Sequence, residues 1–392
     1  MTIANVERSD LRRSSIAAVA QRAMPAWIYN HAEMTRLELD RVLLPSWQML
    51  CHVSQLREPG DYVTLDIGTE SVVGLRDRDG VIRAFHNVCR HRGARLLDGS
   101  GNCPGPVTCP YHGWAYRHDG SLLGVAARET FAGLDRGDHG LLPVKLEVAF
   151  GFVFVAIAGD PPSSVAGMWG QLAQDFAPYR VEEMVPLTPI STETWHVDWK
   201  IAMDNYLESY HVPIGHPGLY RMFTPDYDDQ TGARGVARGV SWLREQPSSH
   251  WSERLYQKLV REVSPHLPEA NRRCWRFYSM LPNLGIDVFP EQMDFFQVLP
   301  AGPGKCLIRS AVFGLPDSSR ALRAVRYLGQ RINASVNGED EWLCTRVQRG
   351  LASSRYTPGP LSELERWMLE FHDLLRERIP ETCQAHAPAR FG

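Results

Sequence analysis

Two short loops restrict this chain more than anything else in it. Cys89 and His91 form a C-x-H, and after a gap of 17 residues Cys109 and His112 form a C-x-x-H. Each loop offers one thiolate and one imidazole. The second reads Cys109-Pro110-Tyr111-His112-Gly113-Trp114, and the pair is flanked by Arg90, Arg92, Gly93 and Gly113. Buried thiols and satisfied core histidines would account for a lone Cys or His. They do not account for two matched loops.

Mixed ligation of this kind suits a [2Fe–2S] cluster of the Rieske type, in which two His replace two Cys on one iron and raise the potential. A structural zinc site usually sets Cys with Cys in one knuckle and His with His in another. Loops that each mix the two ligand types fit that pattern poorly. Cys103 lies in the gap but has no His at ligand spacing. The chain is therefore expected to move electrons.

At 392 residues there is room for two or three domains. The apolar share of 44% and charged share of 22% are those of an ordinary globular protein. A net charge of −3 leaves no electrostatic footprint for nucleic acid or a membrane surface. The longest apolar stretch, Val148 to Ala158, is too short to span a bilayer and reads as a buried strand. Arg8, Asp10, Arg12 and Arg13 have no apolar core behind them, so no secretory signal is expected. Beyond the two cluster thiols, Cys51, Cys103, Cys274, Cys306, Cys344 and Cys383 are scattered, unlike a disulfide framework. A cytoplasmic enzyme is the expectation.

The pattern divides the chain into a helical segment over 1–45, a β-rich block over 46–160 that holds both loops, and a mixed remainder over 161–392. The Pro-rich seam from Gly159 to Ser164 marks the second boundary. In the remainder, helices are expected over about 196–211, 319–332, 338–352 and 362–378, and strands over 275–280, 293–299 and 305–313. The polar, Gly-rich run 224–250 reads as a long surface excursion.

A second constellation begins at Asp204 and ends at His216. Asp204, Glu208 and His211 are spaced i, i+4 and i+7, so one α-helix would put them on one face. His216 falls off that face, but Pro213 should kink or end the helix and swing His216 back toward His211. Two His and a carboxylate make the facial triad of non-haem Fe(II) oxygenases, with positions left open for O2. A helix end with two surface histidines is the plainer reading of these residues alone. The cluster signature upstream decides against it. Aromatic and apolar residues including Met203, Leu207, Phe223, Phe277, Phe289, Phe295 and Phe296 are candidates for the pocket wall or for ordinary core.

With both metal motifs on one chain, the sequence resembles the large (α) subunit of Rieske non-haem iron oxygenases, the aromatic-ring-hydroxylating dioxygenase superfamily, over about 45–380. That resemblance implies an α+β protein: an N-terminal all-β Rieske [2Fe–2S] domain, then a C-terminal catalytic domain of helix-grip type with an antiparallel sheet. It implies a third iron ligand in a downstream E-D-x7-Q stretch, carried here to Asp340, with Glu339 and Glu341 as competitors and Gln348 closing the motif. It gives Glu208 the part of a bridge between His211 and a cluster His of the next subunit, by position His112. Asn205 and Asp204 lie beside that path, Asn205 as a holder of water or of the bridging carboxylate.

The resemblance also implies the working system. Electrons from NAD(P)H arrive through a separate reductase, with a possible ferredoxin, since no G-x-G-x-x-G opens a helix after a strand here. The two centres of one subunit lie too far apart for fast transfer, so a homotrimer or a stacked hexamer is expected. O2 is the co-substrate. Hydroxylation or oxidative demethylation of an aromatic compound is the first expectation. Glu rather than Asp at 208 is a feature shared with members that oxidise choline, betaine or carnitine, which makes a quaternary ammonium compound the alternative. A Rieske electron carrier with an inert second domain is the reading from another class.

Overall fold

A computed structural model of the chain describes residues 22–231, 235–316 and 319–391. The contacts divide it into two compact units. One holds Leu43–Pro189 with Val312–Pro316, and the other holds the described residues up to Val42, those of Ile190–Ala311 and those after Pro316. No helix among the described residues is long and apolar enough to cross a membrane.

The first unit is built from three small antiparallel sheets. One holds β1 (Gln48–His52), with β9 (Lys145–Ala149) and β10 (Phe152–Ala156). The second holds β2 (Asp61–Ile67), β3 (Glu70–Arg76), β4 (Ile82–His86) and β5 (Ser100–Asn102). The third holds β6 (Val107–Thr108), β7 (Ala115–Tyr116) and β8 (Leu122–Gly124). Val73, Leu75 and Phe85 share one core with Cys89, Cys109, Trp114 and Tyr116, so the two candidate thiols are part of the packing.

This unit continues past the expected seam at 160/161. Glu147 accepts the backbone N–H groups of Val165 and Ala166, both at 3.0 Å, and so holds the start of the helical turn Val165–Trp169. Trp169 and Phe176 then pack on Phe150. These contacts keep the chain in the unit up to Pro189.

The second unit is an antiparallel sheet with helices against it. Its strands run in the order β18 (Cys306–Gly314), β17 (Met293–Pro300), β16 (Leu284–Val288), β15 (Cys274–Met280), β14 (Val236–Leu243), β13 (Phe223–Thr231); β12 (Ser191–Trp195) pairs with β18, as does the short β11 (Val185–Pro186) at Phe313 and Gly314. The helices are α1 (Ala32–Glu38), α2 (Trp199–Tyr206), α3 (Val212–Gly215), α4 (Pro217–Met222), α5 (Trp251–Val263), α6 (Arg320–Leu351) and α7 (Arg366–Arg378). α2 packs on β17, on α6 and on α7.

Three expectations change here. The run 224–250 is not an excursion. Most of it is the β13–β14 hairpin, and Val236 through Val240 are all buried. Gly239 within it is a packing device, because a Cβ there would meet Tyr227 Oη at 1.8 Å. The two helices expected over 319–332 and 338–352 are one, α6. The N-terminal segment belongs with the second unit. Its described part buries Glu38 against Lys200 at 2.5 Å and Trp199 at 2.7 Å, and residues 1–21 lie outside the described residues.

Candidate metal centres

The two loops of the first unit have the same internal construction. The N–H of Cys89 donates to Ala94 O at 2.8 Å, and that of Gly93 donates back to Cys89 O at 3.0 Å. The N–H of Cys109 donates to Trp114 O at 2.7 Å, and that of Gly113 to Cys109 O at 3.1 Å. Both turns need a left-handed residue, supplied by Gly93 at φ 76° and Gly113 at φ 70°. The matched sequences thus become matched hairpins that bring His91 and His112 to 4.8 Å between ring centroids.

The surroundings fit a cluster. Both thiols are buried, and His91 stacks on Trp114 at 5.0 Å with planes 5° apart. Its buried Nδ1 has no hydrogen-bond partner, as a nitrogen reserved for a metal would not. Burial, then His91 and Arg92, lower the pKa of His112, which keeps that ring neutral and able to ligate. Tyr116 accepts the Arg90 N–H at 2.9 Å, which leaves its O–H free to donate to Cys89 Sγ at 3.3 Å. Hydrogen bonds to cluster sulfurs tune the potential. Sequence reasoning missed Tyr116, which carries no local signal. Cys103 lies apart, its thiol directed at Gly105 O and Pro106 O.

In the second unit, His211, His216 and Asp340 converge. Their ligand atoms all lie within 4.8 Å of one another. His211 Nε2 is 3.1 Å from His216 Nε2, and Asp340 Oδ1 is 3.0 Å from His216 Nε2 and 3.6 Å from His211 Nε2. Asp340 Oδ1 is buried without a hydrogen-bond partner. Burial pulls the His216 pKa down, but Asp340 and Glu339 outweigh it and hold it above the ordinary value, the mark of a site built for a cation. Two imidazoles, one carboxylate oxygen and a negative surround fit a divalent iron.

The far nitrogens of both rings are held by carboxylates. His211 Nδ1 lies 2.6 Å from Glu208 Oε1, and His216 Nδ1 lies 2.8 Å from Glu339 Oε2. Each contact fixes the tautomer that leaves Nε2 free toward the centre. Glu339, set down as a competitor for the ligand position, takes this supporting place. Gln348 is elsewhere, accepting the Asp198 N–H at 2.7 Å.

The helical reading of the constellation is corrected. α2 ends at Tyr206, before Glu208, and the one-turn helix α3 begins after His211. Pro213 begins a new turn rather than kinking an old one. The break places Glu208 and His216 on opposite sides of the His211 ring. It also separates Asp204 from them. Asp204 instead accepts from Tyr29 Oη at 2.9 Å and lies 2.9 Å from His372 Nε2. Asn205 does reach the site, with Nδ2 3.5 Å from His211 Nε2.

The apolar candidates divide. Phe223 and Phe289 belong to a core with Trp275 and Tyr256. Met203, Leu207 and Phe295 are buried, while Phe277 and Phe296 are only half-buried.

Comparison with known proteins agrees with both units. Residues 46–135 match the family model "Rieske [2Fe-2S] domain", and residues 188–381 match "Ring hydroxylating alpha subunit (catalytic domain)". The glycine betaine monooxygenase oxygenase subunit of Chromohalobacter salexigens is 28% identical over 94% of this chain and 88% of its own. The chloroplastic choline monooxygenase of Arabidopsis thaliana is 30% identical over 91% of this chain and 82% of its own. A solved quaternary ammonium Rieske monooxygenase, described in terms of carnitine oxidation by gut microbiota and inter-subunit electron transfer, shares the fold at a TM-score of 0.77. It is 23% identical, over 91% of this chain and 95% of that one.

Proposed function

Because this chain belongs to the ring-hydroxylating α-subunit family of Rieske oxygenases, we propose that it is the terminal oxygenase of a system that oxidises a quaternary ammonium compound. Membership makes it an oxidoreductase with a [2Fe–2S] Rieske cluster, a mononuclear iron and O2 as co-substrate. The substrate reading is carried by one observation: the betaine and choline monooxygenases align over more than nine-tenths of the chain. An aromatic substrate, the first expectation from the sequence, has no comparable support among these relatives.

Cys89, His91, Cys109 and His112 would hold the cluster, and His211, His216 and Asp340 the iron. When bound, the cluster stores and passes single electrons, and the iron activates O2 for insertion into the substrate. The chain's own residues set the conditions. Glu208 accepts the Nδ1 proton of His211 and, through its other oxygen, the His211 backbone N–H at 3.0 Å, which locks the ring in place. Glu339 holds the His216 ring at Nδ1 alone, while the His216 backbone N–H donates to Val212 O at 3.0 Å. Asn205 can place a polar group beside Nε2 of His211. A chain that only carried electrons would have no use for the convergence of His211, His216 and Asp340.

Members of this family act with a reductase and as multimers. A trimer with a reductase, and a ferredoxin where the system has one, is the form proposed here. Exposed apolar side chains lie at both centres: Tyr111 at 56% beside the cluster loop, and Tyr210 at 60% and Ile214 at 89% around the iron histidines. They support contact between copies at these surfaces, with Glu208 in the path. The test is O2 consumption with a competent reductase. Choline, glycine betaine and carnitine form one panel, and benzoates, phenols and fused-ring aromatics form the other. Uptake and a demethylated or hydroxylated product with an ammonium are expected. Turnover of aromatics alone would overturn the reading.

A further inference from the structure

The inner face of the second unit's sheet carries an acidic pair that the metal site does not use. Residues opposite one another in adjacent strands share a face. One such row crosses four strands: Asp229 faces Gly239, Gly239 faces Phe277, Phe277 faces Asp287, and Asp287 faces Asp294. Asp287 and Asp294 lie on β16 and β17, in the interior of the sheet. Their strand neighbours Ile286, Val288, Met293 and Phe295 are fully buried, whereas the two acids are half-buried, as are Phe277, Phe296 and Tyr206. Half-exposure in the interior of a sheet marks a recess.

The recess belongs to the iron side. Tyr206, the last residue of α2 before the break that carries Glu208 and His211, donates its O–H to Asp287 at 2.8 Å and sets its ring 4.3 Å from Phe296. Asn333 donates to Asp294 at 3.3 Å. Asn333 and Asp340 stand seven residues apart on α6, so they share a face, about 10 Å apart along the axis. Tyr227 lies over Gly239, on the same row, and adds a second phenol. Beyond the pair, Glu291 is 4% exposed and its Oε1, set against Gly329 one turn before Asn333, has no hydrogen-bond partner.

Resting on the function proposed above, we infer that Asp287 and Asp294 are the counter-charge for the substrate's ammonium group, and that the recess selects a cation without a carboxylate. Aromatic faces of Phe277, Tyr206 and Phe296 complete a surface suited to such a group. Selection follows from what is missing on this face. The rows through Asp287 and through Gly285 present Asp229, Gly239, Phe277, Asp287, Asp294, Ala237, Ser279, Gly285 and Phe296, with no Lys or Arg among these described residues. Arg366 reaches only the outer end of the row, paired with Asp229 at 3.0 Å. A zwitterion would bring its carboxylate against an acidic pair that its ammonium draws toward the charged form, with no cation on these strand rows to receive it. Burial, with Asp340 nearby, pushes Asp287 up to about 7, and burial with Asp287 opposite raises Asp294 well above the ordinary carboxylate value, so the pair holds protons while empty and an entering cation draws it toward the ionised form.

The test is equilibrium binding to the iron-loaded holoenzyme, followed by tryptophan fluorescence and calorimetry. The probes are choline, glycine betaine, L-carnitine and the neutral isostere 3,3-dimethyl-1-butanol. Choline is expected to bind at least about ten-fold more tightly than either zwitterion. Asp287→Asn and Asp294→Asn, each checked for an unchanged cluster absorption spectrum, are expected to weaken choline by about ten- to a hundred-fold while leaving the isostere unchanged. Equal losses for choline and isostere would make the pair structural and overturn the inference, as would a zwitterion bound more tightly than choline. Those results leave the ammonium oxygenase reading intact. Binding of aromatics with none of the ammonium probes would remove that reading as well.

Discussion

Glu208 holds His211 at two points, with Oε1 2.6 Å from the ring Nδ1 and Oε2 accepting the backbone N–H at 3.0 Å. A carboxylate that grips both the ring and the backbone of one residue controls the orientation of that ring, which suits the bridging part proposed for Glu208. Glu208→Gln keeps the length and loses the charge. It is expected to retain both metal centres and reduction of the cluster by the reductase, while product formation falls about 10- to 100-fold. Single-turnover oxidation of the reduced cluster, in the presence of substrate and O2, checks this. An unchanged rate would remove Glu208 from the path.

The converging triad makes a prediction about metal content. Asp340→Ala is expected to lower iron from about three to about two atoms per chain, with the EPR signal of the reduced cluster unaltered. Glu339→Gln is expected to keep the iron but weaken its affinity about 10- to 100-fold, because it holds His216 rather than the metal. Iron analysis after graded chelation separates the two.

His52 predicts a pH dependence of the first unit. Its ring is fully buried, Nε2 lies 3.0 Å from Val181 O, and burial lowers its pKa from 6.5 to about 4. A depressed histidine favours the fold while neutral. That contribution is complete above pH 6.5 and is lost as the pH falls toward 4. The gap corresponds to about 3 kcal/mol. Urea midpoints measured from pH 7 to pH 4 should fall more steeply in the native protein than in His52→Gln. Parallel slopes would contradict the assignment.

Lys200 is wholly buried between Glu38 at 2.5 Å and Asp198 at 2.6 Å. Lys200→Met would leave two buried carboxylates facing each other without a cation. A loss of about 3–5 kcal/mol in unfolding free energy is expected. A change below about 1 kcal/mol would mean that the carboxyls are already neutral in the native protein.

The proposed metal ligands could be read from short-range patterns: C-x-H, C-x-x-H and H-x4-H state their chemistry within a few residues. Asp340 needed the family resemblance, since three acids in a row cannot be told apart by spacing. What escaped was long-range. Asp204 has helical spacing to His211, yet the helix stops at Tyr206 and Asp204 is taken by Tyr29 and His372, residues far away in sequence. The 224–250 run reads as an excursion because it is polar and Gly-rich around 231–235, of which 232–234 lie outside the described residues, and because nothing local shows that Gly239 makes room for Tyr227. Asp287 and Asp294 look like ordinary strand acids until the register sets them opposite each other.

The measurement that bears most directly on the central claim is the response of the mononuclear iron to substrate. Nitric oxide is added anaerobically to the Fe(II) protein, and EPR spectra are recorded with the ammonium panel and with the aromatic panel. The account predicts a nitrosyl signal that changes on addition of an ammonium compound and not on addition of an aromatic one. A signal that responds only to aromatics would contradict the substrate class, and the absence of any nitrosyl signal in iron-replete protein would contradict His211, His216 and Asp340 as the iron site.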